Sequence, residues 1–388
     1  MKTIAIDVRL IGRNRTGDEA VFRNLTRELL LLDRENRYLL LTDRRDPEFL
    51  AELRASLGVA EHGNAELVPL GGSDRFIWNL FSVPRFLLRR HVDLFHTQYI
   101  LPLSVPRRTK VVAHIHDVSF RAFPHLIGWK DRLFLFLFIP RTMRRSDCLV
   151  APSEFTKREI VSRYGVDEGK VVVVPNALSP EFLREVSDVD RVRVRRKYGL
   201  PERFLLSVGT LQPRKNLPLF LRAFASIRDR VPGVQVVLTG NRSAHHFDRG
   251  IDGTIGETHL GSVVVFPGFI ETADLPAVYK AAFGLVFPSR YEGFGIPLLE
   301  AFASGVPVAA SDIPPFREVG GEAAIFFGPD DVAGCADSLY TLLTNEEVRD
   351  RLRQLGRERL IEYSWGKSAR VLFLRYGQLM EGINSDCR

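Results

Sequence analysis

Short β-branched runs alternate with longer amphipathic stretches along almost all of this 388-residue chain, and that rhythm leaves few folds open. In the first half the runs fall at 3–8, 38–42, 66–69, 94–96, 110–115, 148–151 and 171–174, with helices expected at 17–32, 76–90, 129–145 and 154–164. In the second half they fall at 204–208, 235–239, 263–266, 284–287, 306–310 and 324–327, with helices expected at 218–230, 273–281, 297–304 and 331–343. Strands separated by helices read as repeated βα units, so each half predicts a parallel sheet covered on both faces. Right-handed crossovers make each half a doubly wound, Rossmann-like layer of the α/β class. Ligands in such sheets bind outside the C-terminal strand ends, so the loops just after the strands are where function is expected.

The length also exceeds one compact core and suits two domains of nearly two hundred residues each. Composition changes between residues 180 and 201, where Ser187-Asp188-Val189-Asp190 is followed by Arg191, Arg193, Arg195, Arg196 and Lys197, then Gly199-Leu200-Pro201. A charged helix and a linker fit this stretch, which sets a boundary between a first domain, 1–198, and a second, 199–364. Asp188-Val189-Asp190 matches the D-x-D that chelates a metal–nucleotide in some transferases, but it lies away from any strand-to-loop junction and reads as coincidence.

Apolar residues make up 45% and charged residues 26%, which excludes a disordered or fibrous chain. The longest apolar run, 133–139, is far short of a membrane span, and the Phe- and Leu-rich helix around it is expected to be buried in the core. Asp7 interrupts the N-terminus before a signal-peptide core could form, so a cytoplasmic location is expected. Cys148, Cys335 and Cys387 offer neither a disulfide framework nor zinc spacing, and no structural metal is expected. Residues 1–200 carry 34 Lys and Arg against 25 Asp and Glu, a net of +9, whereas 201–388 carry 20 against 22, a net of −2. Either the basic half meets something anionic or it keeps the chain soluble. Arg85, Arg89, Arg90, Arg107, Arg108 and Lys110 are the candidate patch for an anionic membrane surface. No nucleic-acid partner is expected, because the arginines are not interleaved with stacking aromatics.

The most informative segment runs from Phe287 to Glu300, a buried strand followed by a G-x-G loop and a helix with Pro297 in its first turn. Glycines let a backbone approach a ligand closely, and a helix N-terminus presents free N–H groups with partial positive charge. Glu292 and Glu300 flank that loop, and a carboxylate is a good acceptor for paired sugar hydroxyls. After the run at 204–208 comes Gly209-Thr210-Leu211-Gln212-Pro213-Arg214-Lys215-Asn216. Two adjacent cations there can neutralise a diphosphate leaving group. In the first half, the strand at 110–115 runs into His114-Ile115-His116-Asp117. Period two puts both histidines on one face, and Asp117 is placed to orient an imidazole. A zinc site lacks a third ligand; a structural histidine pair and an active-site His116 both remain open. Arg15-Thr16-Gly17-Asp18-Glu19 is a further glycine loop, without the dinucleotide fingerprint.

Glu292 to Glu300 is thus an E-x7-E enclosing Gly293-Phe294-Gly295, and Val208-Gly209-Thr210 leads into Pro213-Arg214-Lys215-Asn216. With Pro152-Ser153-Glu154-Phe155-Thr156-Lys157, Val174-Pro175-Asn176 and Ser311-Asp312-Ile313-Pro314, this resembles the family 4 retaining glycosyltransferases, among them bacterial mannosyl- and hexosyltransferases of surface-polysaccharide synthesis. The likeness runs from Asp7 to about Trp365 and is most specific between 204 and 318. It implies the GT-B fold, two facing Rossmann-like domains with the active site in the cleft between them, and a last helix, 365–388, that returns to the first domain. It also implies that Glu300 holds the ribose of the donor and that Glu292 contacts the transferred sugar. Gly293, Phe294, Gly295 and Ile296 would offer backbone N–H groups, and Lys215 with Arg214 would clamp the diphosphate. His116 would reach the donor sugar, Gly17 would lie on a mobile loop where donor and acceptor meet, and Phe269 and Ile270 would pass the base. Thr210 stands where many relatives carry Arg, which shifts phosphate charge toward Arg214. Asp18-Glu19-Ala20-Val21-Phe22 replaces a short apolar loop.

The expected function is a retaining, metal-independent hexosyltransferase without a bound cofactor. Its co-substrate would be a GDP- or UDP-sugar, with a lean to mannose, and its acceptor a saccharide or a lipid-linked sugar. A sugar-nucleotide epimerase of similar fold is the alternative.

Overall fold

The computed structural model describes every residue except 14, 15, 73, 124–128, 244, 245 and 383–388, so Arg15 of the glycine loop and Cys387 lie outside the described residues. The chain divides into two compact units. One holds Met1–Phe120, most of the chain from there to Ala177, and the tail from Ser364; the other holds Leu178–Tyr363.

In the first unit, β1 (Thr3–Asp7), β2 (Arg37–Thr42), β3 (Ala65–Pro69), β4 (Leu94–Gln98), β5 (Lys110–His114), β6 (Cys148–Ala151) and β7 (Val171–Val173) form one parallel sheet in the order β3-β2-β1-β4-β5-β6-β7. In the second, β8 (Phe204–Ser207), β9 (Gln235–Thr239), β10 (Val264–Gly268), β11 (Gly284–Phe287), β12 (Val308–Ser311) and β13 (Ala324–Phe327) form another in the order β10-β9-β8-β11-β12-β13. Strand order reverses between β1 and β4 and again between β8 and β11. These are the switch points at which a doubly wound sheet opens a crevice.

Burial follows the period of two. Phe204 and Leu206 join one apolar cluster and Leu205, between them, joins the cluster on the opposite face. Both faces are dry because helices cover both, which is why these strands read as continuous apolar runs. The helix Leu217–Ile227 buries Leu217, Phe220, Leu221 and Phe224 on one of those faces.

Four expectations are revised. The second unit begins at Leu178 rather than at 199, because Leu178, Phe182, Val194 and Leu200 all pack into its core. The charged helix Asp188–Tyr198 is tied to the same unit by Arg193, Lys197 and Tyr198, which bond Asp274 at 2.6, 2.8 and 2.8 Å. The D-x-D is a capping box: Ser187 Oγ accepts from the backbone N–H of Asp190, and the Asp190 carboxylate accepts from that of Ser187.

The helix expected at 76–90 is broken into Arg75–Ile77, a π turn at Trp78–Ser82, and Val83–Arg89. Pro84 has no N–H to continue the ladder, and the widened turn buries Trp78, whose Nε1 donates to Asp7 at 2.9 Å. The helix Trp129–Arg145 is only half a core helix. Phe134, Ile139 and Met143 are buried, but Leu133, Phe136 and Leu137 are exposed. The helices Pro47–Ser56, Gly250–Glu257, Pro314–Gly320 and Glu346–Leu360 had no counterpart in the sequence expectation. The C-terminal helix Trp365–Glu381 lies against the helix Thr16–Leu32 within the first unit.

Candidate functional site

The loops after β8 and β11 sit side by side at the switch point of the second sheet. Beyond β8 the chain passes Gly209, makes a 3-10 turn at Pro213–Lys215, and enters the helix Leu217–Ile227 through Asn216. The turn is held in place from two sides. Asn216 donates to the carbonyl of Pro329 at 2.7 Å, and the carbonyl of Arg214 accepts from the N–H of Arg290 at 2.9 Å. Gly240, at the end of β9, approaches so closely that a Cβ would lie 2.4 Å from the carbonyl oxygen of Gly209. Only glycine closes that corner.

Arg214, Lys215 and Glu292 come together there. Lys215 Nζ donates to Glu292 Oε1 at 2.6 Å, an Arg214 guanidinium nitrogen lies 2.9 Å from Oε2, and Ser289 Oγ donates to Oε1 at 2.9 Å. Lys215 also lies over the Phe287 ring, 4.9 Å from its centroid. Burial alone would raise the Glu292 carboxyl, but the two cations outweigh it and bring its pKa down to about 2. The cluster therefore holds two positive charges and one negative charge in a buried place. Two cations on one loop are the charge type that complements a diphosphate.

Gly295 caps the helix Ile296–Ala303 at φ +113°, and a Cβ on it would meet the Phe316 ring at 2.9 Å. The left-handed turn and the crowding both require glycine. Pro297 occupies the first turn, where its missing N–H costs nothing. Phe294 packs into the core against Tyr363, so its backbone alone can serve a ligand. Gly293 is buried and Ile296 is half-buried.

Glu300 lies on the same helix and accepts a hydrogen bond from the Tyr279 hydroxyl at 2.6 Å. Burial, reinforced by the charge of Glu181, raises its carboxyl to about 7 despite Tyr279 and the more distant Lys215. The two glutamates of the E-x7-E are thus driven in opposite directions: one is a fixed anion, the other exchanges its proton near neutrality. After β10, the Phe269 side chain is exposed while the Ile270 side chain is packed in the core.

In the first unit, His116 Nε2 lies 3.2 Å from Gln98 Oε1 and its Nδ1 lies 3.8 Å from Asp18. Asp117 does not orient it. That carboxylate accepts instead from the backbone and hydroxyl of Ser119, at 2.9 and 2.7 Å. His114 stacks on His116 with centroids 4.4 Å apart and on His96 at 6.0 Å, while Phe22 packs against all three rings. Burial pushes His96 down to about 3 and His114 well below its usual value, so both stay neutral. Tyr376 on the C-terminal helix shares a hydrogen bond with His96. Gly17 is not in a loop after β1 but in the first turn of the helix Thr16–Leu32, where it is exposed with open space around it. Asp18 and Phe22 follow on that helix, so the departure noted in the sequence supplies two neighbours of His116. Among the described residues, no three His, Cys, Asp or Glu converge as a metal site.

Tyr279, Ser289, Asn216, Gln98 and Asp18 were not among the expected site residues. Ser289, three residues before Glu292 in one loop, could have been suspected from spacing. Tyr279, on a separate helix, leaves no such signal.

The group 1 glycosyl transferase model matches residues 190–359 and the family 4 glycosyltransferase model matches residues 16–182. O-antigen chain mannosyltransferase B of Escherichia coli is 28% identical over 265 residues, covering 67% of this chain and 68% of that protein. The serotype-specific mannosyltransferase WbdA of Escherichia coli is 27% identical over 72% of this chain, but the match spans only 34% of its length. The structure of Anabaena HepE in complex with UDP and glucose superposes with a TM-score of 0.73 at 17% identity, covering 97% of this chain and all of that one. Two Rossmann-like sheets of this order, the E-x7-E loop with its paired cations, and both family models place the chain among the family 4 glycosyltransferases of the GT-B fold.

Proposed function

We propose that the chain is a retaining hexosyltransferase of polysaccharide or glycolipid synthesis, acting on the cytoplasmic side of the membrane. Its donor would be a GDP- or UDP-linked sugar, with mannose as the sugar favoured by the mannosyltransferase relatives. Its acceptor would be a saccharide or a lipid-linked sugar. The carrying observation is the buried Arg214–Lys215–Glu292 cluster, formed where the turn Pro213–Lys215 meets the loop that leads into the helix Ile296–Ala303.

In this mechanism Arg214 and Lys215 take the charge that builds on the diphosphate as the sugar C1–oxygen bond breaks. The acceptor oxygen forms its bond to C1 on the same face, and its proton passes to the departing phosphate oxygen. No metal is needed, since two cations and the helix N–H groups supply the electrophilic environment. Glu292 balances positive charge on the sugar, and Glu300 accepts from the ribose hydroxyls.

Thermal-shift titration with UDP, GDP, ADP and dTDP tests the donor: a ligand at a hundred times its Kd stabilises the native state by about 2.7 kcal/mol. One diphosphate should stand out, and its sugar should be consumed only when acceptor is present. Donor turnover to an epimer without acceptor would overturn the transferase assignment.

A further inference from the structure

We propose that the first unit carries a membrane-docking face that inserts apolar side chains into an anionic bilayer, built from the segment 75–90, the loop 101–103 and the helix Trp129–Arg145. Phe76, Ile77, Phe81 and Leu88 are 40–66% exposed on the first segment, Leu103 is 53% exposed, and Leu133, Phe136 and Leu137 are 52–60% exposed on the helix. The last three lie at i, i+3 and i+4 and so form one stripe.

The pieces form one surface. The rings of Phe76 and Phe134 meet at 4.9 Å, and the Arg75 guanidinium lies 5.0 Å from both centroids. The loop is stitched to both neighbours: the N–H of Leu103 donates to the carbonyl of Asn79, and Arg141 donates to the carbonyls of Leu101, Pro102 and Leu103. An exposed apolar patch of this extent marks an interaction site rather than chance surface.

Charge decides what it meets. Residues 75–92 and 94–116 contain no Asp or Glu, and the helix Trp129–Arg145 has one, Asp131, against Lys130, Arg132, Arg141, Arg144 and Arg145. Over the same stretches Arg85, Arg89, Arg90, Arg107, Arg108, Arg132, Arg144 and Arg145 are all exposed. A second copy of the chain seated on this face would oppose like charges. A nucleic acid would match the arginines but leave the leucines wet. An anionic bilayer satisfies both: arginines at the phosphate level, Phe and Leu below it, as in helices that lie in the interface plane. No helix among the described residues is long and apolar enough to cross a membrane, so this face would rest on the bilayer. The proposal stands on the surface alone and is independent of the donor and acceptor proposed above.

The test is sedimentation of the full chain with vesicles of phosphatidylcholine alone or with 30 mol% phosphatidylglycerol, at about 50 and about 500 mM salt. Two variants accompany the parent: F136S/L137S, and R85S/R89S/R90S. The parent should partition onto the anionic vesicles and retain part of its binding at high salt, because the apolar component is not screened. Replacing Phe136 and Leu137 should lower partition about tenfold or more at both salts. Replacing the three arginines should lower it by up to about a hundredfold at low salt only. Unchanged circular dichroism and melting curves exclude misfolding, since all five side chains are exposed. Equal binding to both vesicle types, or an F136S/L137S variant that sediments like the parent, overturns the proposal. So does a parent that is dimeric in solution and becomes monomeric in F136S/L137S.

Discussion

Replacing Glu292 with Gln tests the central cluster, because it removes one charge and leaves two cations buried without their carboxylate. The pKa of Glu292 falls from 4.5 to about 2, and at about 1.4 kcal/mol per unit this corresponds to roughly 3 kcal/mol of native-state stability. Breaking a buried ion pair by removing one partner costs about 3–5 kcal/mol, which agrees. The sign is fixed by the depressed pKa: the stabilisation is full above 4.5 and is lost as pH falls toward 2. Parent and E292Q should therefore differ by about 3 kcal/mol at pH 7.5 and by only about 1 kcal/mol near pH 2.5. All three tryptophans, Trp78, Trp129 and Trp365, lie outside 178–363, so their fluorescence does not report this unit. Hydrogen exchange of peptides covering β8 and β11 does. A nucleoside diphosphate should narrow the gap, since its phosphates supply the missing negative charge. In kinetics, kcat and kcat/KM should fall together by about a hundredfold or more while the diphosphate still binds. Loss of diphosphate affinity with kcat preserved would refute the assignment, and a stability gap that ignores pH would refute the charge account.

Tyr279→Phe removes the donor that holds Glu300 and should raise the donor KM about tenfold with kcat little changed, as hydrogen bonds to charged groups are worth about 1.5–3 kcal/mol; a fall in kcat alone would show that Tyr279 acts elsewhere. Ribose hydroxyls favour the ionised form of Glu300, whose pKa is about 7, so nucleotide affinity should rise between pH 6 and 8 in the parent. That component should vanish in Glu300→Gln, and isothermal titration of both proteins with one nucleotide isolates it from phosphate ionisation. Donor turnover should persist in excess EDTA; complete loss restored by magnesium or manganese would contradict the cation clamp. Gly295→Ala must adopt φ +113° against the Phe316 ring and should cost about 2 kcal/mol or more in an unfolding titration.

The fold was legible because a buried parallel strand is hard to disguise. Cys148–Ala151, Gln235–Thr239, Gly284–Phe287 and Ala324–Phe327 fall where the apolar runs placed them, since helices cover both faces of such a sheet. Helices were less legible where packing does not speak through periodicity. Glu346–Leu360 buries only Leu352 and Gly356, so its sequence carries little apolar signal. The segment 75–89 has a helical composition, but its π turn is set by Trp78 reaching Asp7, a contact 71 residues away that no local rule contains. Apolar content misled once: the Phe-rich helix Trp129–Arg145 looks like core, yet only one of its faces is covered.

The same division holds at the site. Arg214 and Lys215, and Glu292 with its glycines, were visible because each group is contiguous and follows a strand, and the strand order brings two such loops together without further information. Sequence could not show the pairing of charges. Glu292 and Glu300 look alike in a motif, and only their surroundings separate them: two cations beside one, burial with the charge of Glu181 and a tyrosine hydroxyl around the other. His116 makes the point from the opposite direction. Adjacency in sequence suggested Asp117 as its partner, but a residue at the end of a strand faces its neighbours across the sheet edge, not its successor in the chain. Gln98 at the end of β4 and Asp18 on the helix after β1 occupy those positions. Asp18 belongs to the segment that departs from the family pattern, and its carboxylate lies 3.8 Å from His116 Nδ1. The departure therefore puts a carboxylate beside an expected catalytic histidine, from the first turn of the helix Thr16–Leu32.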